Sequence, residues 1–164
     1  MPGHWEGDLI IGKNGKTAVA TLAERTSRFV IMKALPLGKD SGGLADVLID
    51  TVNGLGSGLN EALFKTLTWD RGTEMAQHAR LTRESGLDVF FADAYSPGQR
   101  GTNESINREA RKFWDKGTAL PTEQAEVDRV AAMINNIPRG VLGSYTPYEK
   151  FMELLAADTV APTP

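Results

Sequence analysis

Apolar and polar positions alternate through residues 5–12, with Trp5, Gly7, Leu9 and Ile11 on one side and Glu6, Asp8 and Ile10 on the other. A period of two predicts a β-strand. Lys13-Asn14-Gly15 is a turn signal, and Thr17–Leu22 predicts the returning strand. Arg28–Leu35 predicts a third strand, with Phe29, Ile31 and Ala34 among its apolar positions. The period then lengthens. Leu44, Val47, Leu48 and Thr51 recur at helical spacing and predict a helix over about Gly43–Val52. Gly54–Gly58 reads as a loop and Leu63–Trp69 as a fourth strand. A short helix follows over Glu74–Ser85, stopped by Gly86, and Leu87–Ala92 reads as a fifth strand.

The remainder is helical. Thr102 is positioned to N-cap a helix whose buried stripe is Ile106, Ala110 and Phe113. Thr122 is positioned to cap the next, where Val127, Val130, Ala131 and Ile134 repeat. Thr146-Pro147-Tyr148-Glu149 joins a capping box to a proline at the first helical position. Residues 1–156 are expected to form one domain, and 157–164 a flexible tail. Three strands, then alternating helix and strand, then helices predict an α/β fold with a mixed sheet covered on both faces.

Composition narrows the classes. A chain of 164 residues with 41% hydrophobic and 24% charged content is an ordinary globular domain. No apolar stretch approaches the roughly 20 residues that cross a bilayer, and no signal peptide is visible, so no membrane partner is expected. The absence of cysteine excludes disulfides and thiolate metal sites. A net charge of −3 argues against a free-standing DNA binder. Residues 100–116 depart from that balance: Arg100, Arg108, Arg111, Lys112 and Lys116 outnumber Glu104, Glu109 and Asp115.

Three acids carry the candidate chemistry. Asp8 lies inside an apolar run, Asp70 ends Leu67-Thr68-Trp69 ahead of an Arg71-Gly72 turn, and Glu104 opens a helix after the glycine-bearing loop 96–101. Each has an ordinary reading alone: a solvent-facing strand acid, a turn-starting aspartate, a first-turn glutamate favoured by the helix dipole. Together they offer hard oxygen donors for two divalent cations, a device of in-line phosphoryl transfer. Asn107, Arg108 and Arg111 follow Glu104 at i+3, i+4 and i+7, on its side of the helix. They read either as phosphate contacts or as a solvated face. Arg100 and Gln99 sit in the glycine-bearing loop before the helix, and that loop is a candidate to close over substrate DNA. Glu74 and His78, four apart, could share a helix face, a spacing that also arises by chance. Trp69 and Trp114 read as packing residues.

The segments GHWEGDLIIG (3–12), TWDRGTEMAQH (68–78), SPGQRGTNESINREARKFWDKGT (96–118) and INNIPRGVLGSYTPYE (134–149), with 33 residues between Asp70 and Glu104, resemble the D-D-E transposase and integrase catalytic cores. The nearer resemblance is to bacterial transposases of the family named for insertion sequence 30. Retroviral integrase cores share a looser pattern around Glu104. Ile137, the residues after Pro138-Arg139, and Asp115 depart from the family pattern, away from the three acids. The resemblance implies a ribonuclease-H-like fold, a five-stranded mixed sheet in which the first and fourth strands adjoin. It implies DNA strand cleavage and strand transfer at mobile-element ends. Two Mg²⁺ ions, or Mn²⁺ in their place, would be held by Asp8, Asp70 and Glu104, with Asp8 bridging. It further implies DNA contacts from Arg100, Asn107, Arg108 and Arg111, a homo-oligomeric active complex, and work in the bacterial cytoplasm at the nucleoid. Family members carry DNA-binding segments ahead of the core, so this chain is expected to be an excised core. The rival readings are a ribonuclease-H-like nuclease on another substrate and a catalytically idle DNA-binding or assembly domain.

Overall fold

The two sides of the first strand face different cores. In the computed structural model, which describes residues 1–54, 59–93 and 101–160, strand β1 spans His4–Ile11. It is joined by β2 (Ala18–Glu24), β3 (Val30–Leu35), β4 (Thr66–Trp69) and β5 (Asp88–Phe91). The sheet order is β3-β2-β1-β4-β5. The β1–β2 and β2–β3 pairs are antiparallel, and β1–β4 and β4–β5 are parallel. The mixed sheet and the β1–β4 adjacency agree with the expectation from sequence.

Helices cover both faces. Trp5, Leu67 and Trp69 belong to a core with Leu44 and Leu48 of α1 (Ser41–Asn53), Leu81 of α3 (His78–Ser85) and Phe151 of α6 (Pro147–Val160). A short α2 (Leu59–Leu63) precedes β4. Ile10, Val19 and Met32 face the opposite core, made with Ile106 and Ala110 of α4 (Gly101–Ala110) and Val127, Val130 and Ile134 of α5 (Gln124–Asn135). Full burial of each such aliphatic side chain contributes roughly 1.5–3 kcal/mol. Trp5 is anchored on three sides. Its Nε1 donates to the Leu63 carbonyl at 2.6 Å, its ring stacks on Phe64 with centroids 4.5 Å apart, and it meets Phe151 edge-on at 6.1 Å.

Several elements differ from the sequence reading. Leu63 ends α2 and β4 begins only at Thr66, because the Leu63 carbonyl is taken by Trp5. The helix expected over Glu74–Ser85 is broken into a 3-10 turn, Thr73–Met75, and α3, although Gly86 ends α3 in the left-handed conformation as expected (φ 73°). Thr102 does not cap α4. It lies inside the helix, and its hydroxyl accepts a hydrogen bond from Arg28. Residue 123, not Thr122, occupies the cap position of α5, with no side-chain cap bond. Trp114 fills the place expected of Phe113, which is exposed. Asp40 caps α1 through the Gly43 amide. The box at α6 is as read: Thr146 N donates to Glu149 at 2.7 Å, and Glu149 N donates to the Thr146 hydroxyl at 3.1 Å. Helix α6 runs on to Val160, past the expected tail boundary, while 161–164 and most of the expected loop 54–58 lie outside the described residues.

Candidate active site

The parallel register of β1 and β4 positions the first two acids. His4, Trp5 and Glu6 pair with Thr66, Leu67 and Thr68. The paired stretch ends at Glu6 and Thr68, two residues before Asp8 on β1 and two before Asp70, which follows β4. Strand alternation assigns their side: Leu67 and Trp69 point into the α1–α3 core, so Thr68 and Asp70 belong to the other face, as do Glu6 and Asp8. That is the face α4 covers. Asp70 follows the carboxyl end of β4, where the strand order reverses beside β1, a recurrent place for sites in open α/β sheets, whereas Asp8 lies within β1, three residues before its end. Gly7 permits the close approach. A Cβ there would sit 2.0 Å from the Trp69 ring.

Helix α4 runs alongside β1 in the same direction. Four helical residues rise about 6.0 Å and two strand residues about 6.6 Å, so every fourth helix position meets every second strand position. The contacts follow that match. The Asn103 amide donates to Glu6 Oε2 at 3.1 Å, and Asn107 Nδ2 donates to Asp8 Oδ2 at 3.0 Å. Beyond the helix end, Arg111 Nη2 reaches the Ile11 carbonyl at 3.0 Å. Asp8 Oδ1 accepts from the Leu9 amide at 2.8 Å. The carboxylate of half-buried Asp8 therefore has one oxygen oriented by backbone and the other by Asn107.

Glu104 is exposed in the first turn of α4, one turn before Asn107. Asp70 is exposed just beyond β4, with Oδ1 accepting from the Arg71 amide at 2.9 Å. Asp8 and the helix that bears Glu104 therefore share one face of the sheet. Among the described residues, no three His, Asp or Glu side chains are gathered closely enough to hold a metal ion. Carboxylate oxygens at Asp8, Asp70 and Glu104 are the donor type that suits a hard cation. Arg108 is exposed, whereas Arg111 is half-buried with Nη1 enclosed and unpartnered. Arg100 and Gln99 lie outside the described residues.

Three residues not singled out as chemistry belong to this site. Thr21, fully buried, pairs with Asp8 across β1–β2, and its hydroxyl lies 3.0 Å from Asn103 Oδ1 and 3.2 Å from Asn107 Oδ1. Glu6 is buried and pairs with Arg25 at 3.3 Å. Burial pushes its carboxyl above the usual carboxylate range, opposed by the Asn103 amide and then by Arg25. Asn103 is fully buried, with Nδ2 unpartnered. Alternation alone would have put Glu6 beside Asp8, but nothing in a β-strand threonine announces a polar role. Glu74 and His78 do not share a helix face. Glu74 folds over Gly72, where a Cβ would lie 2.1 Å from its carboxylate, and His78 meets Phe91 edge-on at 5.1 Å.

The architecture defines a class first. The catalytic core domain of BIV integrase superposes with a TM-score of 0.69, covering 97% of this chain and 99% of that one at 20% identity. The fold is that of the ribonuclease-H-like integrase cores. No family model matches the chain. Sequence supplies the narrower kinship. Over 160 residues the chain is 41% identical to the transposase for insertion sequence element IS1086 of Cupriavidus metallidurans, which covers 97% of this chain and 46% of that protein. Over 148 residues it is 45% identical to transposase InsI for insertion sequence element IS30A of Escherichia coli K12, 90% of this chain and 37% of that protein. The chain is similar to insertion-sequence transposases, that of insertion sequence element IS30A among them, and it spans less than half the length of these curated relatives.

Proposed function

We propose that this chain is the catalytic core of a metal-dependent DNA transposase, cleaving strands at the ends of a mobile element and joining them to target DNA. The observation that supports the reading is Asp8 on β1, bonded to Asn107 of the helix that bears Glu104, next to the parallel strand β4 that leads into Asp70. Transposase relatives that align with nearly the whole chain support it. Asp8, Asp70 and Glu104 would hold two Mg²⁺ or Mn²⁺ ions, with Asp8 shared. Cations bound there supply activation of the attacking water or 3′-hydroxyl and charge stabilisation at the leaving oxygen. The chain's own part is positional. Asn107 and the Leu9 amide fix the Asp8 carboxylate, and Arg111 ties the end of β1 to the turn after α4. Arg100, Arg108 and Arg111 would meet phosphates, contacts that position DNA without reading its sequence. The active complex would be a homo-oligomer working on DNA in the bacterial cytoplasm.

Glu104→Gln in the full-length protein tests this. It keeps size and hydrogen bonding and removes a charged ligand. Cleavage and strand transfer on terminal-repeat DNA should be abolished, with an unchanged circular dichroism spectrum. Turnover by that variant near the wild-type rate removes Glu104 from the mechanism. Cleavage by the wild type of an RNA–DNA hybrid, but not of element ends, identifies a nuclease instead. Inactivity on both substrates supports the idle-domain reading.

A further inference from the structure

The flank of α4 that faces away from Glu104 borders a cleft of about 670 Å³. At 100° per residue, Glu104 and Asn107 fall on one flank, Thr102 and Ser105 on the other, and buried Ile106 and Ala110 between them. Thr102 and Ser105 line the cleft, and so do three arginines: Arg25 after β2, Arg28 before β3, and Arg139 between α5 and α6. Among the described residues, Glu6 is the one acid of the lining, and its carboxylate is engaged by the Asn103 amide and by Arg25 Nε. Arg28 is aimed across the cleft by its bond to the Thr102 hydroxyl and adopts a left-handed backbone (φ 63°). Three guanidinium groups against one committed carboxylate make a concave cationic surface on a chain of net charge −3.

We propose that this cleft binds a phosphodiester of the DNA backbone, separate from the phosphate at the acids. The inference rests on the transposase-core reading and adds a second anchoring point to it. Guanidinium forks match phosphate oxygens, and the Ser105 hydroxyl lines the same cleft as a further donor. Two arginines are held by protein partners, so less rotamer freedom is lost when phosphate arrives. A helix is about 10 Å across, so a strand crossing the first turn of α4 would pass Glu104 on one flank and the cleft on the other.

The test is salt-titrated anisotropy of the 164-residue chain with a short random-sequence DNA duplex. Arg139→Ala is the leading variant, because its side chain is bonded to no other described residue. It should lower the slope of log affinity against log salt by about 0.9. The affinity lost between ~50 and ~200 mM salt then shrinks about threefold. Arg139→Lys keeps the charge and should keep the slope, and Arg28→Ala should repeat the fall. Arg129→Ala, on the exposed Glu126 pair of α5, should leave it unchanged. A wild-type slope in Arg139→Ala, or an equal fall in Arg129→Ala, overturns the cleft while leaving the transposase reading intact. Wild-type protein with no salt-dependent DNA binding overturns both.

Discussion

Thr21 shows how much of the site rests on one buried hydroxyl. Three acceptors surround it: the Asp8 carbonyl at 3.3 Å, Asn103 Oδ1 and Asn107 Oδ1. A hydroxyl has one proton to give. With the Asn103 amide turned by 180°, its unpartnered Nδ2 donates to Thr21, Thr21 donates to Asn107, and Asn107 donates to Asp8. All the donors then run toward the carboxylate. Thr21→Val replaces the hydroxyl with a methyl of similar size and leaves buried amide groups short of a partner, at about 1–3 kcal/mol. In the full-length enzyme it should lower the cleavage rate and raise the Mg²⁺ concentration needed for half-activity, and Thr21→Ser should restore both. A variant that loses stability but keeps the wild-type Mg²⁺ dependence reduces Thr21 to a packing residue. None of this was legible in the sequence, where threonine in a strand is ordinary. Asp8, Asp70 and Glu104 stood out because each is an acid at a strand or helix position with a distinctive neighbourhood.

At the scale of elements, β1 and β4 determine whether the two aspartates meet. Gly7 is the point of closest approach, since a Cβ would lie 2.0 and 2.1 Å from Trp69 ring carbons. Gly7→Ala must therefore push the strands apart or turn the indole. Overpacking of that kind costs roughly 1–3 kcal/mol, about 2–12 °C in Tm for a chain of this size. Differential scanning calorimetry measures the loss, and a Tm within one degree of wild type contradicts the packing account. Alternation placed Gly7 on the Trp5 side correctly, but only the tertiary register shows why glycine is needed there. Caps were legible where both halves of the motif were present, as in Thr146 and Glu149, and misleading where a lone threonine suggested one. Thr102 was drawn into the helix by its bond to Arg28, a partner 74 residues away. The single helix read over Glu74–Ser85 broke because Glu74 packs back over Gly72 rather than outward along a helix.

For the whole molecule, the layered fold was readable because strand and helix periods change cleanly along the chain and both cores are built from the apolar positions those periods select. The cationic cleft was not, because Arg25, Arg28 and Arg139 converge only through tertiary folding. The local positive charge of residues 100–116 pointed to one flank of α4, and the fold adds the other. Net acidity and a DNA substrate are compatible when cations are concentrated at concave places and divalent metals offset the acids. That compatibility depends on the acids binding metal. Anomalous diffraction from crystals of this chain soaked in Mn²⁺ measures it most directly. The account predicts Mn²⁺ beside Asp8 of β1 and the end of β4, with oxygens of Asp8, Asp70 and Glu104 about 2.1 Å from bound ions. Mn²⁺ bound elsewhere, with Asp8 and Asp70 bare at saturating metal, would contradict it.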